Sequence, residues 1–345
     1  MLHRWVVENI EEAGEMSIPA TLTLSARKGS GMILLKTMLR EAGVRAELWL
    51  ARDNFGADLK PGGNPLFETY DTPYLAVWTG APKDQPLMVT TGSKVVPLGY
   101  LVPGVSGAQG LRVPLAETDP APGPVRFPTR FEALADRRSY RVTLELQRDG
   151  TGRVEGSIEL QGMEAAAWRD VLRNLDRDRI NDGFERAELA VLFPGATVEL
   201  ADLQIEQEKQ LDAPLRLVFS GGIRGAVVAQ GGELLMRAAT VPLNVGLGYT
   251  PLPQRKTGYA IPYAPILSAQ VTIQIAGAKF TGTPTAENIE TPQGSYRRKV
   301  EAGADGSLTV RTSATLQTGV FGPDQYPALA GLTRRVKAAE DQVIR

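Results

Sequence analysis

A lysine and a serine that could take part in nucleophilic catalysis lie close together in the sequence, directly before an apolar segment. Lys28 and Ser30 precede a run that continues with Gly31, Met32 and Ile33. A serine hydroxyl becomes a nucleophile when a neighbouring base removes its proton, and a lysine amine can be that base. Serine is also a preferred helix N-cap. A serine-dependent hydrolase or acyl-transferase using Ser30 is therefore the catalytic alternative, and helix capping is the structural one.

The segment after these residues predicts a buried helix that leads into a strand. Gly43 stands where a left-handed C-cap residue belongs. From Val44 to Ala51 the apolar residues alternate, as in a strand. The helix itself is indicated by apolar side chains at helical spacing, namely Met32, Leu35, Met38, Leu39 and Ala42.

This helix and strand resemble the core of the transglutaminase-like superfamily of thiol acyl-transferases and proteases. There the nucleophilic cysteine begins the helix, whose positive end lowers the pKa of the thiol. The family pattern Leu-Leu-x-x-Leu-Leu-Arg-x-x-Gly-Ile is matched by Leu34, Leu35, Met38, Leu39, Arg40, Gly43 and Val44. The resemblance implies an α+β fold: a transglutaminase-like, papain-like core of helix and antiparallel sheet, joined to a mainly antiparallel β domain with a C-terminal helix.

The catalytic positions of that family hold other residues here. The chain contains no cysteine, and ungapped alignment puts Lys28 in the cysteine's place, with Ser30 two residues further on. The family's histidine falls on Thr72, and its aspartate falls on Val89 or Thr90. Because a nucleophile, a base and an orienting acid act together, the resemblance implies a pseudoenzyme with a binding or scaffolding role.

The altered active site suggests a binding cleft. In an active relative, the groove between the helix and the following strand admits an extended peptide. Tyr70, Thr72, Pro73 and Tyr74 predict a partner-binding surface there, because tyrosines give a large contact area at low entropic cost. In the alternative interpretation, these side chains fill the former cleft and close it.

Composition divides the chain into domains. Prolines cluster at 118–129, which predicts a semi-rigid linker after a degenerate transglutaminase-like domain at 1–117. A β-rich domain at 130–323 follows, with a helical insertion near 163–193. Residues 324–345 predict an amphipathic helix, because apolar residues recur at helical spacing at Leu329, Leu332, Val336, Ala339 and Val343.

The β-rich part resembles the C-terminal β domain of large bacterial transglutaminase-like envelope proteins. That resemblance implies a bacterial, periplasmic or extracellular setting in the cell envelope, with protein partners. Relatives usually carry a β module before the core, so we expect either a fragment or a module on another chain. The N-terminus does not read as a signal peptide, because charges interrupt any apolar region at Arg4, Glu8, Glu11 and Glu12.

Composition also limits the partners. A net charge of −1 and a pI near 6.1 give no electrostatic case for nucleic acid. No apolar run approaches the ~20 residues of a membrane span, so no integral membrane segment is predicted. The residue spacing predicts neither a metal site nor a cofactor site. A third function, carbohydrate binding by the β domain, would need exposed aromatic platforms, for which the candidates are Tyr259, Tyr263 and Tyr296.

Overall fold

A computed structural model of the chain describes residues 1–13, 16, 18–55, 69–80, 85–231, 233–282 and 284–345. These residues divide into two compact units, Met1–Leu134 and Ala135–Arg345. Each unit combines helices with sheets that are mostly antiparallel, and a long helix lies near the C-terminus. The predicted α+β class is confirmed.

The first unit is built around one five-stranded sheet among its described residues, in the order β5-β4-β3-β6-β7. Strands β1 and β2 form a separate short parallel pair. The helices are α1 (Leu2–Asn9), α2 (Ala20–Ala26) and α3 (Gly31–Glu41). The strands are β1 (Glu11–Glu12), β2 (Lys28–Gly29), β3 (Ala46–Arg52), β4 (Tyr70–Val77), β5 (Leu87–Val89), β6 (Gln109–Val113) and β7 (Gly123–Arg126).

Helix α3 is the buried helix that the sequence predicts. Ser30 is its N-cap, and Gly43 follows its C-terminus with a φ of +72°, the left-handed conformation that glycine adopts without strain. Leu34 and Leu35 of the helix share one apolar cluster with Leu48 of β3. The opposite face of the same sheet buries a second cluster around Trp49, Tyr74 and Phe127. Strand β3 therefore separates two cores.

The proline-rich segment is not a free linker. Residues Gly123–Arg126 form β7, which pairs with β6 at the edge of the five-stranded sheet. The segment also contains Asp119, whose carboxylate lies 2.8 Å from the Lys36 ammonium on α3. An edge strand tolerates proline, because one side of it needs no hydrogen-bond donors. The predicted linker at 118–129 thus belongs to the first unit, which runs to Leu134.

The second unit contains an eight-stranded sheet among its described residues, in the order β10-β11-β9-β8-β15-β18-β17-β16. Its pairs are antiparallel except for β8 with β15. The strands of this sheet are β8 (Arg137–Leu146), β9 (Thr151–Gln161), β10 (Thr197–Glu206), β11 (Leu215–Arg224), β15 (Ile266–Ile275), β16 (Glu287–Thr291), β17 (Gly294–Ala302) and β18 (Leu308–Leu316). A separate three-stranded sheet contains β12 (Val228–Gln230), β13 (Glu233–Arg237) and β20 (Val343–Ile344), and a two-stranded one contains β14 (Tyr259–Ile261) and β19 (Gly319–Phe321).

The helices of this unit lie against one face of the large sheet. Helix α4 contacts β9, and α7 contacts β16 and β17. The helices are α4 (Met163–Asn174), α5 (Arg177–Gly183), α6 (Ala190–Leu192) and α7 (Tyr326–Glu340), with a π-helical segment at Phe184–Leu189 between α5 and α6. Within the described ranges, no helix combines the length and apolar character needed to cross a bilayer.

The C-terminal helix is shorter than predicted. Helix α7 ends at Glu340, and the chain then extends into β20, where Ile344 pairs with Met236 of β13. Ile344 is buried, whereas Val343 is exposed. The prediction that Val343 continues the helical apolar face is wrong, because a distant strand offers the last residues a backbone partner that local periodicity does not reveal.

Candidate functional site

Catalysis of the kind considered above would take place at the start of α3. There the side chain of Ser30 already takes part in a hydrogen bond of the helix N-terminus. Ser30 is 1% exposed, and its Oγ accepts a hydrogen bond of 3.3 Å from the Ile33 amide. This bond satisfies one of the amides that a helix N-terminus leaves without an intrahelical partner. The geometry matches the capping role predicted for Ser30.

A carboxylate that the sequence analysis did not identify, that of Glu12, also lies at this helix end. The Glu12 carboxylate accepts a hydrogen bond of 3.2 Å from the Gly31 amide and one of 3.1 Å from the Thr91 hydroxyl. Helix N-termini favour negative charge, because their free amides point outwards and the helix dipole is positive there. The chain's own carboxylate therefore occupies the position where an anionic reaction centre would be stabilised.

Lys28 does not act on Ser30. It lies in β2 with an exposed side chain, and its ammonium is 2.5 Å from the Glu11 carboxylate. That hydrogen bond, with the charge of Lys28, lowers the pKa of Glu11. The short pairing of β1 with β2, with Glu11 opposite Lys28, brings these groups together. Lys28 is thus part of a surface ion pair.

The positions matched to histidine and aspartate do not complete a catalytic set. Thr72 pairs with Ala51, which packs on the sheet face opposite α3, so Thr72 lies on that face too. Val89 is buried in the core on the helix side. The carbonyl of Thr90 accepts a hydrogen bond of 2.8 Å from His3 Nε2.

Tyr70 and Tyr74 do not line one cleft. The two tyrosines are 7% and 3% exposed, and they belong to different cores on opposite faces of the sheet. The register between β3 and β4 shifts at Asp71, because Thr72 pairs with Ala51 and Tyr70 pairs with Arg52. Such a bulge inserts one residue and reverses which face the following side chains occupy. Tyr70 and Pro73 thus face α3, whereas Thr72 and Tyr74 face away.

The burial of Tyr74 also affects the pKa of its side chain. Burial raises the pKa of its phenol, although a hydrogen bond at the Val102 backbone partly opposes this effect. Its ring makes an edge contact with Phe127, at 5.7 Å between centroids. Tyr74 is therefore a core residue. Of the two interpretations of the former cleft, the packing of both tyrosines agrees with the closed one.

The tyrosine platform proposed for carbohydrate binding is not formed. Tyr259 is 5% exposed and Tyr296 is fully buried. Tyr263 is partly buried, and its hydroxyl donates a hydrogen bond of 2.7 Å to Glu164. Strand alternation turns Tyr259 and Tyr296 towards apolar clusters, so two of the three candidate tyrosines are not exposed platforms.

Lys36 and Asp119 form a mostly buried ion pair that the sequence does not predict. Leu115 and Ala116 donate their amides to the same carboxylate. Burial alone would raise the pKa of Asp119, but the Lys36 ammonium and these amides outweigh burial and hold the pKa below its usual range. The pair joins α3 to the loop before β7. Across the described residues, no cluster of three or more His, Cys, Asp or Glu side chains could hold a metal ion.

The fold and this site define an α+β protein. At the start of its central helix α3, side chains of the same chain accept hydrogen bonds from the free backbone amides. A family model described as a domain of unknown function with a solved structure (DUF3858) matches residues 239–344. No curated protein matches the chain.

Among solved structures, the chain is similar to one described as a "putative protease" from Parabacteroides distasonis ATCC 8503. The TM-score is 0.51 and the sequence identity is 11%, and the match covers 99% of this chain and 50% of that one. The chain therefore spans half the length of that structure, and at this identity the likeness concerns the fold alone.

Proposed function

We propose that this chain is a non-catalytic binding or scaffolding protein, a pseudoenzyme built on a transglutaminase-like core that works in a bacterial envelope assembly. The observation that carries the proposal is the hydrogen bonding at the start of α3. Ser30 caps the helix there, and Glu12 accepts the amide of Gly31.

Serine catalysis would require a base that accepts the proton of Ser30. In the part of the chain that the structure describes, no side chain accepts a hydrogen bond from Ser30 Oγ; Lys28 instead pairs with Glu11. Acyl transfer also requires amide donors directed at the developing oxyanion. The amides of Gly31 and Ile33, which would be suited to that task, already donate to Glu12 and Ser30.

The experiment is a turnover assay on the purified chain. A glutamine-donor protein with a fluorescent amine tests acyl transfer, and fluorogenic peptides test hydrolysis. We expect rates equal to the buffer background. Ser30→Ala and Ser25→Ala serve as a matched pair, because Ser25 is an exposed serine of α2. Turnover lost in Ser30→Ala but retained in Ser25→Ala would establish the rival hydrolase or acyl-transferase.

The envelope setting and the protein partners rest on the family resemblance. The partner that this resemblance suggests is the β module expected before the core. Subcellular fractionation of a bacterium that carries this protein tests the setting. We expect the protein in the periplasmic or extracellular fraction, and recovery in the cytoplasmic fraction alone would contradict the proposal.

A further inference from the structure

The eight-stranded sheet of the second unit has one face open to solvent. On this face, polar residues of neighbouring strands border a hollow of about 940 Å³. The opposite face carries the alternating apolar residues of the same strands and forms the core, for example Val142, Val271 and Val310. The open face is therefore the part of this sheet that is available to a partner.

The first feature of the open face is a row of three basic side chains and one glutamine. Arg141 on β8 lies opposite Gln270 on β15, Gln270 lies opposite Arg311 on β18, and Arg311 lies opposite Lys299 on β17. We call these four residues the basic row. Because neighbouring strands are ~4.8 Å apart, the row extends over about 14 Å.

Two cations of the basic row are available for a ligand. Arg311 pairs with Glu301 and also donates to Gln270. Arg141 and Lys299 are exposed, and neither has a hydrogen bond or an ion pair with any residue that the structure describes. The row thus ends, on both sides, in a positive charge without a protein partner.

A parallel row two residues along the strands carries hydroxyl groups. Ser139, Ser268 and Ser313 are direct neighbours on three adjacent strands, and Arg297 lies opposite Ser313. We call these four residues the serine row. Ser268 Oγ donates a hydrogen bond of 2.8 Å to Ser139 Oγ. The two rows are about 7 Å apart, as expected from the rise of two strand residues.

The chemistry of these rows selects the ligand class. Backbone groups at the middle of a sheet are used in the ladder, so recognition must come from side chains. Guanidinium and ammonium groups bind carboxylates, and serine and glutamine side chains exchange hydrogen bonds with hydroxyls. Stacking of nucleic-acid bases is disfavoured, because the two aromatic residues of β8, β15, β18 and β17 are Tyr140 and Tyr296, which pack against the core.

We propose that the open face binds an acidic polysaccharide, with its carboxylates at Arg141 and Lys299 and its hydroxyls along the serine row. The proposal deepens the binding role proposed above, on which it rests, by naming the class of partner. It differs from the tyrosine platform in both its location and its chemistry, because it needs no exposed aromatic side chain.

Titration calorimetry of the full chain with polygalacturonate tests the proposal. We expect binding at low salt that weakens at high salt, because exposed charges are screened. The double variant Arg141→Gln/Lys299→Gln should bind at least about tenfold more weakly, which corresponds to the loss of charged hydrogen bonds. Arg334→Gln/Arg335→Gln is the matched control, because it removes two exposed charges on α7 and should change affinity less than about twofold.

Dextran and poly-L-glutamate complete the experiment. Neutral dextran should not bind, and poly-L-glutamate should bind more weakly, because it offers carboxylates without hydroxyls. Equal affinity of the wild type and the Arg141/Lys299 variant for polygalacturonate would overturn the proposal, as would equal affinity for poly-L-glutamate. Circular dichroism verifies that each variant is folded. Neither result depends on turnover at Ser30, so failure here is distinguishable from failure of the non-catalytic role.

Discussion

Ser30 combines near-complete burial with a hydrogen bond from the Ile33 amide, and both features follow from its place before α3. A serine oxygen in this position stabilises the helix without any chemistry. The same helix end also attracts the Glu12 carboxylate. At the scale of single residues, the groups that could react are thus used to stabilise structure.

Replacing the cap should lower stability by a moderate amount. Ser30→Ala removes the acceptor of the Ile33 amide, and we expect the free energy of unfolding to fall by about 1 kcal/mol. Urea denaturation followed by circular dichroism measures it. Ser25→Ala, on the exposed side of α2, should change stability by less than about 0.5 kcal/mol. Equal stability of Ser30→Ala and the wild type would argue against the capping role.

The pair of Asp119 with Lys36 predicts a pH dependence. The pKa of Asp119 is lower in the folded state than its unfolded value of 3.8, so the folded state binds this proton less readily. The pair's stabilisation is therefore present above pH 3.8 and is lost as pH falls through the folded pKa. Asp119→Asn should destabilise the chain by about 3 kcal/mol at neutral pH, because Lys36 keeps a mostly buried charge.

Denaturation curves of the wild type and Asp119→Asn from neutral to acidic pH provide the measurement. The difference between the two should shrink as pH falls below 3.8, because the carboxylate becomes protonated first in the unfolded wild type and, at lower pH, in the folded one. Asp71→Asn, a change at an exposed aspartate of β4, is the control and should show no such trend. A difference that stays constant with pH would contradict the role given to the pair.

Among helices and strands, the sequence correctly predicted the features that depend only on neighbouring residues. The N-cap at Ser30, the periodicity of α3 and the left-handed Gly43 all act within a few residues, and the structure contains each of them. Proline content could not distinguish an extended linker from the extended edge strand β7, because both conformations accept proline. The choice between them depends on pairing with β6, which is a contact between separate segments.

Fragments test where the first unit ends. A fragment of residues 1–134 keeps β7 and Asp119, whereas a fragment of residues 1–117 loses both and leaves Lys36 without its partner. We expect the longer fragment to melt cooperatively and the shorter one to aggregate or melt at a lower temperature. Thermal circular dichroism with size-exclusion chromatography measures both. Identical melting of the two fragments would place the boundary back at the proline-rich segment.

For the molecule as a whole, the sequence predicted the α+β class, but it did not predict which side chains share one face of a sheet. The bulge at Asp71 reverses Tyr70 relative to Tyr74, and no residue pattern in β4 announces it. The basic row and the serine row each join β8, β15 and the hairpin of β17 and β18, which are distant in sequence, so the rows exist only once the register is set. The interpretation of Tyr70 and Tyr74 as one cleft depended on register, whereas the α+β class follows from helix and strand periodicity, which is local.

We propose that the start of α3 is structural and not catalytic, and the reactivity of Ser30 itself tests this most directly. The full chain is incubated with a serine-reactive fluorophosphonate and examined by intact mass and peptide mapping. We expect an unchanged mass, because Ser30 is 1% exposed and its described surroundings supply no base. A single adduct mapped to Ser30, and absent in Ser30→Ala, would contradict a purely structural role of Ser30.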